Sequence, residues 1–254
     1  MIFAPLRLSE KKYPISRAIN MKKAIIIGAT SGIGKELAKI LVKNNYKVGI
    51  TGRRQELLEE LKATSPENFI VQPFDCTTES NSEKLAELTQ QLGGLDLLIM
   101  SSGTGDENSK LDYSEDEKTI NLNVKAFTEI MDWTFNYFRA QGFGHITAIS
   151  SVAGLRGSEH APAYFASKAY QINYLESLRK IAKKPIYITD IRPGYVDTAM
   201  ALGDNLFWVS SKEKAARQIF NAIKYKKDVA YISKRWVLIA WALKLVPGFI
   251  YKRV

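Results

Sequence analysis

Residues 28–36 read "GATSGIGKE", and how this stretch is interpreted decides the fold. It follows an apolar run, "AIIIG" (24–28), and opens a segment of helical period, "GKELAKILVKNN" (34–45). Gly28, Gly32 and Gly34 form a G-x-x-x-G-x-G pattern. Glycines at a strand-to-helix junction permit a tight turn and let a pyrophosphate come close to the backbone. The amides at the start of the helix then face the anion. The spacing differs from the commoner dinucleotide fingerprint, G-x-G-x-x-G. A P-loop is the competing reading, and it fails twice. Ala29 stands where its first glycine belongs, and Glu36 where a Ser or Thr must hold magnesium.

Outward from this turn, short apolar runs alternate with helical patterns. "KVGIT" (47–51), "FIVQPF" (69–74), "LDLLIM" (95–100), "GHITAIS" (144–150), "IYITDI" (186–191) and "VAYIS" (229–233) join the first run as predicted strands. They are continuously apolar instead of alternating, as strands covered on both faces are. Strand–helix repetition predicts a single Rossmann-type, doubly wound parallel sheet of about seven strands with helices on both faces. No repeat, low-complexity tract or linker divides the chain of 254 residues. Residues 1–20 read as an extension outside the core fold, and 21–254 as one domain.

The second strand ends in "TGRRQ" (51–55). An NAD site usually carries an acidic residue here, about 20 residues after the glycines, for the ribose hydroxyls. Gly52, Arg53 and Arg54 instead leave room for a 2′-phosphate and offer it positive charge, so NADP(H) is expected over NAD(H). The competing reading is two surface arginines at a helix start, where the helix dipole disfavours them.

Another stretch, "YFASK" (164–168), places Tyr164 and Lys168 one helical turn apart on one face. A phenol ionises near pH 10. A fixed ammonium beside it favours the phenolate and is expected to lower that value, giving a usable proton donor or acceptor. Each residue taken alone has an ordinary reading, a packing aromatic or a surface lysine.

Taken in order, these motifs resemble the short-chain dehydrogenase/reductase family, from about Lys22 to about Thr198. "GATSGIG" is similar to its glycine motif, which implies cofactor contacts from Gly28, Thr30, Ser31, Gly32, Ile33 and Gly34. Asp75 and Cys76 stand where the family contacts adenine, and Gly103 ends "MSSG" (100–103), where the family usually has Asn-Asn-Ala-Gly. The loss of both asparagines puts the usual hydrogen bond bracing the sheet in question. Asn123 in "NLNV", Ser151 in "ISSVAG", Tyr164 and Lys168 match the catalytic set, and "RPGYVDT" supplies Pro193, Gly194, Val196 and Thr198 near the nicotinamide. The resemblance implies that Tyr164 is general acid or base and that Lys168 binds the nicotinamide ribose. It further implies that Ser151 polarises the substrate oxygen and that Asn123 holds a water connecting Lys168 to solvent. It also implies hydride transfer to a ketone or aldehyde. Dimers or tetramers through the helices carrying Asn123 and Tyr164 are a family expectation. A catalytically idle NADP-binding sensor or scaffold is the alternative, to which the altered "MSSG" lends some support.

The remaining features bound the function. One cysteine, Cys76, excludes an intrachain disulfide and a Cys-rich metal site, and suits a reducing cytoplasm. Two histidines, His145 and His160, are too few for a His-based metal cluster and read as structural or surface residues, so no metal is expected. Net charge is +10, concentrated in 212–254, which hold 11 Lys/Arg and 2 Asp/Glu. Nucleic acid is not expected as a partner, because no recognition motif accompanies that charge. Leu202, Leu206, Phe207 and Trp208 in 199–211 are available to line an apolar substrate pocket. The closing "KRWVLIAWALKLVPGFIYKRV" (234–254) is too short to span a bilayer. Trp236 and Trp241, flanked by Lys234, Arg235, Lys244, Lys252 and Arg253, suit peripheral membrane contact or a lid over a lipid-like substrate. Packing onto the core or onto another subunit is the competing reading.

Overall fold

All seven predicted strands form, in one sheet whose neighbours are parallel throughout. They are β1 (Lys22–Ile27), β2 (Tyr46–Gly52), β3 (Phe69–Pro73), β4 (Leu97–Met100), β5 (Gly144–Ile149), β6 (Ile186–Pro193) and β7 (Val229–Ile232), in the order β3-β2-β1-β4-β5-β6-β7. The helices are α1 (Gly32–Lys43), α2 (Gln55–Ala63), α3 (Asn81–Leu92), α4 (Tyr113–Ile120), α5 (Phe127–Gln141), α6 (Pro162–Ile181), α7 (Lys212–Lys224), α8 (Trp236–Leu245) and α9 (Gly248–Tyr251). A π turn, Asn121–Ala126, joins α4 to α5, and a 3₁₀ turn, Val152–Leu155, follows β5. This computed structural model describes residues 21–198 and 207–251. The expected N-terminal extension, Leu202, Leu206, Lys252 and Arg253 lie outside the described residues.

Continuous apolar strands make sense because each sheet face carries its own helical layer. Side chains alternate along a strand. Ala24 and Ile26 of β1 therefore meet Leu37 and Leu41 of α1 and Ile219 of α7 on one face. Ile25 and Ile27 meet Leu88 of α3, Phe127 and Phe138 of α5 and Leu175 of α6 on the other. Each of these Ile, Leu and Phe side chains contributes about 1.5–3 kcal/mol on full burial.

Strand order fixes where a ligand can enter. From β1 the chain winds outward to β2 and β3, then crosses back to β4 on β1's other side. The loops leaving β1 and β4 therefore diverge and open a crevice at the carboxyl ends of the strands.

His145 shows what the interior does to a titratable group. It is buried, and its Nε2 lies 2.8 Å from Thr189 Oγ1. That hydroxyl donates its one proton to the Lys227 carbonyl at 2.6 Å, so His145 Nε2 must carry the hydrogen of a neutral imidazole. Burial, with Lys226 nearby, pulls its pKa down to about 4. Folding thus expels a proton from a group that titrates near 6.5 when unfolded. The contribution to stability is complete above the unfolded value and is lost as pH falls toward the folded one. Urea midpoints should accordingly drop between pH 7 and pH 4.5, and His145→Gln should reduce that drop measurably. An unchanged pH dependence in the variant would remove His145 as the cause.

Candidate active site

The crevice begins at the glycine turn. The Gly28 and Ala29 amides donate to the Thr51 carbonyl at 3.2 and 2.9 Å, tying the turn to β2. Gly28 takes a left-handed φ of +90°, which a side chain would resist. A Cβ on Gly34 would sit 2.0 Å from the Gly28 carbonyl oxygen, so the first turn of α1 can fold back against β1 only with glycine there. Arg54, leading into α2, reaches across this turn and donates through Nη2 to Thr30 Oγ1 at 2.8 Å and Ser31 Oγ at 3.0 Å. Arg53 is also exposed, its Nη1 3.8 Å from Asp75 Oδ2. Asp75 Oδ1 accepts from the Thr77 amide and hydroxyl, at 2.9 and 2.7 Å. Burial, then the neighbouring Asp75 carboxylate, pushes the Cys76 thiol up to about 11, so it stays protonated and unreactive.

The "MSSG" segment does not leave the sheet unbraced. The Ser101 and Ser102 amides both donate to the Ile27 carbonyl, at 2.8 and 2.9 Å. Backbone hydrogen bonds thus hold the loop after β4 to β1. Farther along that loop, a Cβ on Gly105 would lie 2.1 Å from Tyr164 Cδ2, so the chain passes directly over the Tyr164 ring.

Asn123 sits in the π turn with no exposed surface. Its side chain clamps the same loop: Oδ1 accepts from the Thr104 amide at 3.0 Å, and Nδ2 donates to the Thr104 carbonyl at 2.6 Å. Nδ2 also donates to Ser167 Oγ at 3.0 Å.

At the end of β5, Ser151 caps the 3₁₀ turn by accepting from the Ala153 amide at 3.1 Å. Pro162 then starts α6, where its missing amide hydrogen costs nothing. Tyr164 and Lys168 share one face of α6, with Lys168 Nζ 5.8 Å from the phenol ring centroid. Lys168 is almost wholly buried, donating to the Ile149 carbonyl at 3.2 Å and to Gln171 Oε1 at 3.0 Å. Burial lowers its pKa to about 8, against the pull of Asp190. Burial also raises the pKa of Tyr164, opposed by the adjacent Ser151 hydroxyl. The phenol was expected to be acidified by the ammonium; in the folded chain desolvation outweighs any such effect.

A cavity of about 880 Å³ joins these parts. Gly28, Thr30, Ser31, Gly32, Ile33, Arg53, Arg54, Asp75, Cys76 and Gly103 line one end. Ser151, Tyr164, Lys168, Pro193, Gly194, Val196 and Thr198 line the middle. Gly34 and Asn123 stand behind the wall, packed as described. The far end is apolar and reaches residues that sequence reasoning did not place: Phe165, Tyr195, Leu243 and Tyr251. Phe207 and Trp236 complete it, their rings stacked with centroids 5.3 Å apart. Trp208 packs edge-on against Trp236 from outside the lining. His160, read as structural or surface, is exposed and lies on the cavity wall.

The C-terminal segment is fastened over this end. Arg156 Nε donates to the Leu243 carbonyl at 2.6 Å and Nη2 to that of Val246, while Tyr251 Oη donates to the Gly157 carbonyl at 2.6 Å. Arg156, Gln171 and Gly105 were all missed. Gln171 had a readable signal, lying three positions past Lys168 on the same helical face. Arg156 had none, because its partners are 87 and 90 residues away.

Comparison with known proteins gives a consistent picture. Residues 22–206 match the family model described as short chain dehydrogenase. An uncharacterized oxidoreductase of Staphylococcus aureus strain MW2 is 32% identical over 189 residues, covering 72% of this chain and 82% of its own. One from Staphylococcus epidermidis is 29% identical over 211 residues, covering 82% and 91%. A short chain dehydrogenase from Burkholderia cenocepacia, solved in complex with NADP, superposes with a TM-score of 0.78 at 20% identity, covering 92% of this chain and 97% of its own. ElxO, solved with NADP bound, gives 0.74 at 23% identity, covering 84% and 97%. Sequence and fold thus agree that this chain belongs to the short-chain dehydrogenase family of oxidoreductases.

Proposed function

We propose that the chain reduces an apolar ketone or aldehyde with NADPH. The observation that carries this reading is the convergence of Ser151, Tyr164 and Lys168 on one cavity whose other end is the glycine turn. The residues present fit a dinucleotide. The turn keeps its close fold only with glycines, since a Cβ on Gly28 would lie 2.5 Å from Ser102 Oγ and one on Gly34 2.0 Å from the Gly28 carbonyl oxygen, and the amides opening α1 suit a pyrophosphate. Arg54, already spanning Thr30 and Ser31, stands where a 2′-phosphate would pair with it, and no carboxylate follows Gly52 to repel one. The NADP in the solved relatives accords with this preference.

NADPH, when bound, supplies the hydride. The protein's part is to place and protonate the carbonyl. Ser151 Oγ donates a hydrogen bond to the substrate oxygen and holds it at the phenol. Tyr164 donates the proton that turns the developing alkoxide into an alcohol. Its raised pKa suits that direction, since a buried phenol stays protonated at neutral pH and is ready as an acid. Lys168, charged below about pH 8, stabilises the phenolate left behind. Asn123 holds the loop that covers Tyr164.

The aromatic end, with Phe165, Tyr195, Phe207 and Trp236, favours an apolar substrate body. A contact with lipid follows from the other side of the same segment. Leu238, Trp241, Leu245 and Phe249 are each more than half exposed, and Lys234, Arg235 and Lys244 are exposed around them. This pattern is complementary to an anionic bilayer surface. No helix among the described residues is long and apolar enough to cross a membrane. The contact is therefore peripheral, with Trp236 and Leu243 of the same helix lining the cavity.

Tyr164→Phe should bind NADPH within about threefold of the parent while turnover falls by about 10²–10⁴, the usual weight of a general acid. Normal turnover on any accepted carbonyl would end the acid assignment. Arg54→Ala should weaken NADPH at least about tenfold, in line with a lost charged hydrogen bond, and leave NADH nearly unchanged in fluorescence titrations. Equal losses would exclude the phosphate contact. In flotation with phosphatidylserine-containing vesicles, the parent should float and Trp241→Glu/Leu245→Glu should not. Sedimentation of both with the soluble fraction would rule out the lipid contact, and self-association lost in the variant would identify the face as a subunit interface.

A further inference from the structure

Gln171 is 1% exposed and bridges two groups of the site that share no hydrogen bond with each other. Its Oε1 accepts from Lys168 Nζ at 3.0 Å, and its Nε2 donates to the Asn123 carbonyl at 2.9 Å. That carbonyl is available because of the π turn: the amides closing the turn bond the Leu122 and Val124 carbonyls and pass over that of Asn123. The amide has one sensible orientation. Reversed, it would set an NH₂ against an ammonium and an oxygen against a carbonyl. Sequence reasoning placed a water on Asn123 leading from Lys168 toward solvent. The side chain of Gln171 links Lys168 directly to the Asn123 carbonyl, and its chemistry differs from that of a water. One water oxygen both accepts and donates. An amide does so on separate atoms, and handing on a proton would require an imidic acid form with a peptide carbonyl as recipient.

The charges around Lys168 sharpen the point. Its two hydrogen-bond acceptors among the described residues, the Ile149 carbonyl at the end of β5 and Gln171 on its own helix, are neutral. Asn123 and Ser167, behind them, are also neutral. Asp190 on β6 acts on the lysine through space, but its carboxylate is already bound by Arg192 Nε at 2.7 Å and by the Ser150 hydroxyl. Of the titratable groups on the lysine's own helix, which also holds Tyr170, Tyr174, Glu176, Arg179 and Lys180, Tyr164 is the one whose ring stands by the ammonium, its centroid 5.8 Å from Nζ. The ammonium is therefore held without being cancelled.

We infer that Gln171 is a positioning residue for the Tyr164–Lys168 pair: it fixes the ammonium beside the phenol with a neutral acceptor, so that the full positive charge acts on Tyr164. This rests on the acid–base reading of Tyr164 given above.

The test is the alkaline limb of kcat/KM against pH for carbonyl reduction, which reports the pair as a unit. Gln171→Glu places a carboxylate against the ammonium, stabilising its charged form and cancelling its effect on the phenol. Both changes move the limb upward, by about one pH unit at contact distance, a typical effect of an opposite charge. Gln171→Leu removes an acceptor from a buried cation, so the lysine loses its proton earlier and the limb moves downward. Circular dichroism and NADPH binding establish that each variant is folded, and Gln171→Met replaces the leucine variant should that one not fold. Opposite shifts support the inference. Folded variants whose limbs coincide with the parent's would overturn it and reduce Gln171 to a packing residue. Tyr164→Phe, run alongside, separates the two failures. Retained turnover there sinks the acid assignment itself, whereas collapsed turnover with unmoved limbs sinks only the role of Gln171.

Discussion

A lysine ammonium with almost no water around it has to be held by acceptors that the fold itself supplies. Desolvating such an ion is expensive, and the usual escape is to lose the proton. Lys168 goes part of the way, its pKa falling to about 8. It remains charged at neutral pH because three separate elements converge on it. The Ile149 carbonyl comes from the end of β5, Gln171 from the next turn of α6, and the field of Asp190 from β6. The β5–β6 register, with Ala148 opposite Asp190 and Ile149 opposite Ile191, fixes the first and third relative to each other. The 3₁₀ turn then has to pack so closely on α6 that a Cβ on Gly154 would lie 2.6 Å from the Lys168 carbonyl carbon. Sheet register, turn and helix are thus all constrained by one buried charge.

Much of this architecture was legible beforehand, for a physical reason. Strands covered on both faces must be apolar at every position, and such runs stand out whatever the tertiary context. The order of strands was not legible, because more than one doubly wound order fits the same alternation of strand and helix. The pairing of Tyr164 with Lys168 was legible because both lie on one helix, where separation in sequence sets separation in space. What sequence could not supply was desolvation. The ammonium was expected to acidify the phenol, and burial of the phenol reverses the net direction for Tyr164. The degree of burial depends on Gly105 passing over the ring and on Asn123 clamping Thr104, contacts that no local pattern announces.

The substitution of "MSSG" for the family's asparagines is instructive in the same way. The loss of both asparagines put the usual side-chain brace in question. The backbone amides of Ser101 and Ser102 nevertheless both reach the Ile27 carbonyl, so β4 stays fastened to β1 beyond its last paired residue. The small serines also suit the tight quarters: Ser102 Oγ would lie 2.5 Å from a Cβ on Gly28. Loop position is therefore kept by main-chain bonds on one side and by Asn123 on the other.

The two ends of the cavity owe their shapes to different parts of the chain. The end at the glycine turn is set by local sequence, within one strand–turn–helix unit and the arginines after β2. The apolar end is set by α8 and α9, which reach it only because Arg156 holds the Leu243 and Val246 carbonyls and Tyr251 holds Gly157. The guanidinium also lies over the Tyr251 ring, 5.3 Å from its centroid, so one side chain fastens the segment by three contacts. Arg156 leaves the 3₁₀ turn that Ser151 caps. The residue that would polarise the substrate oxygen and the residue that anchors the far wall are thus five positions apart on one short turn. A shift of that turn would move both together, which couples the size of the apolar end to the position of Ser151 Oγ.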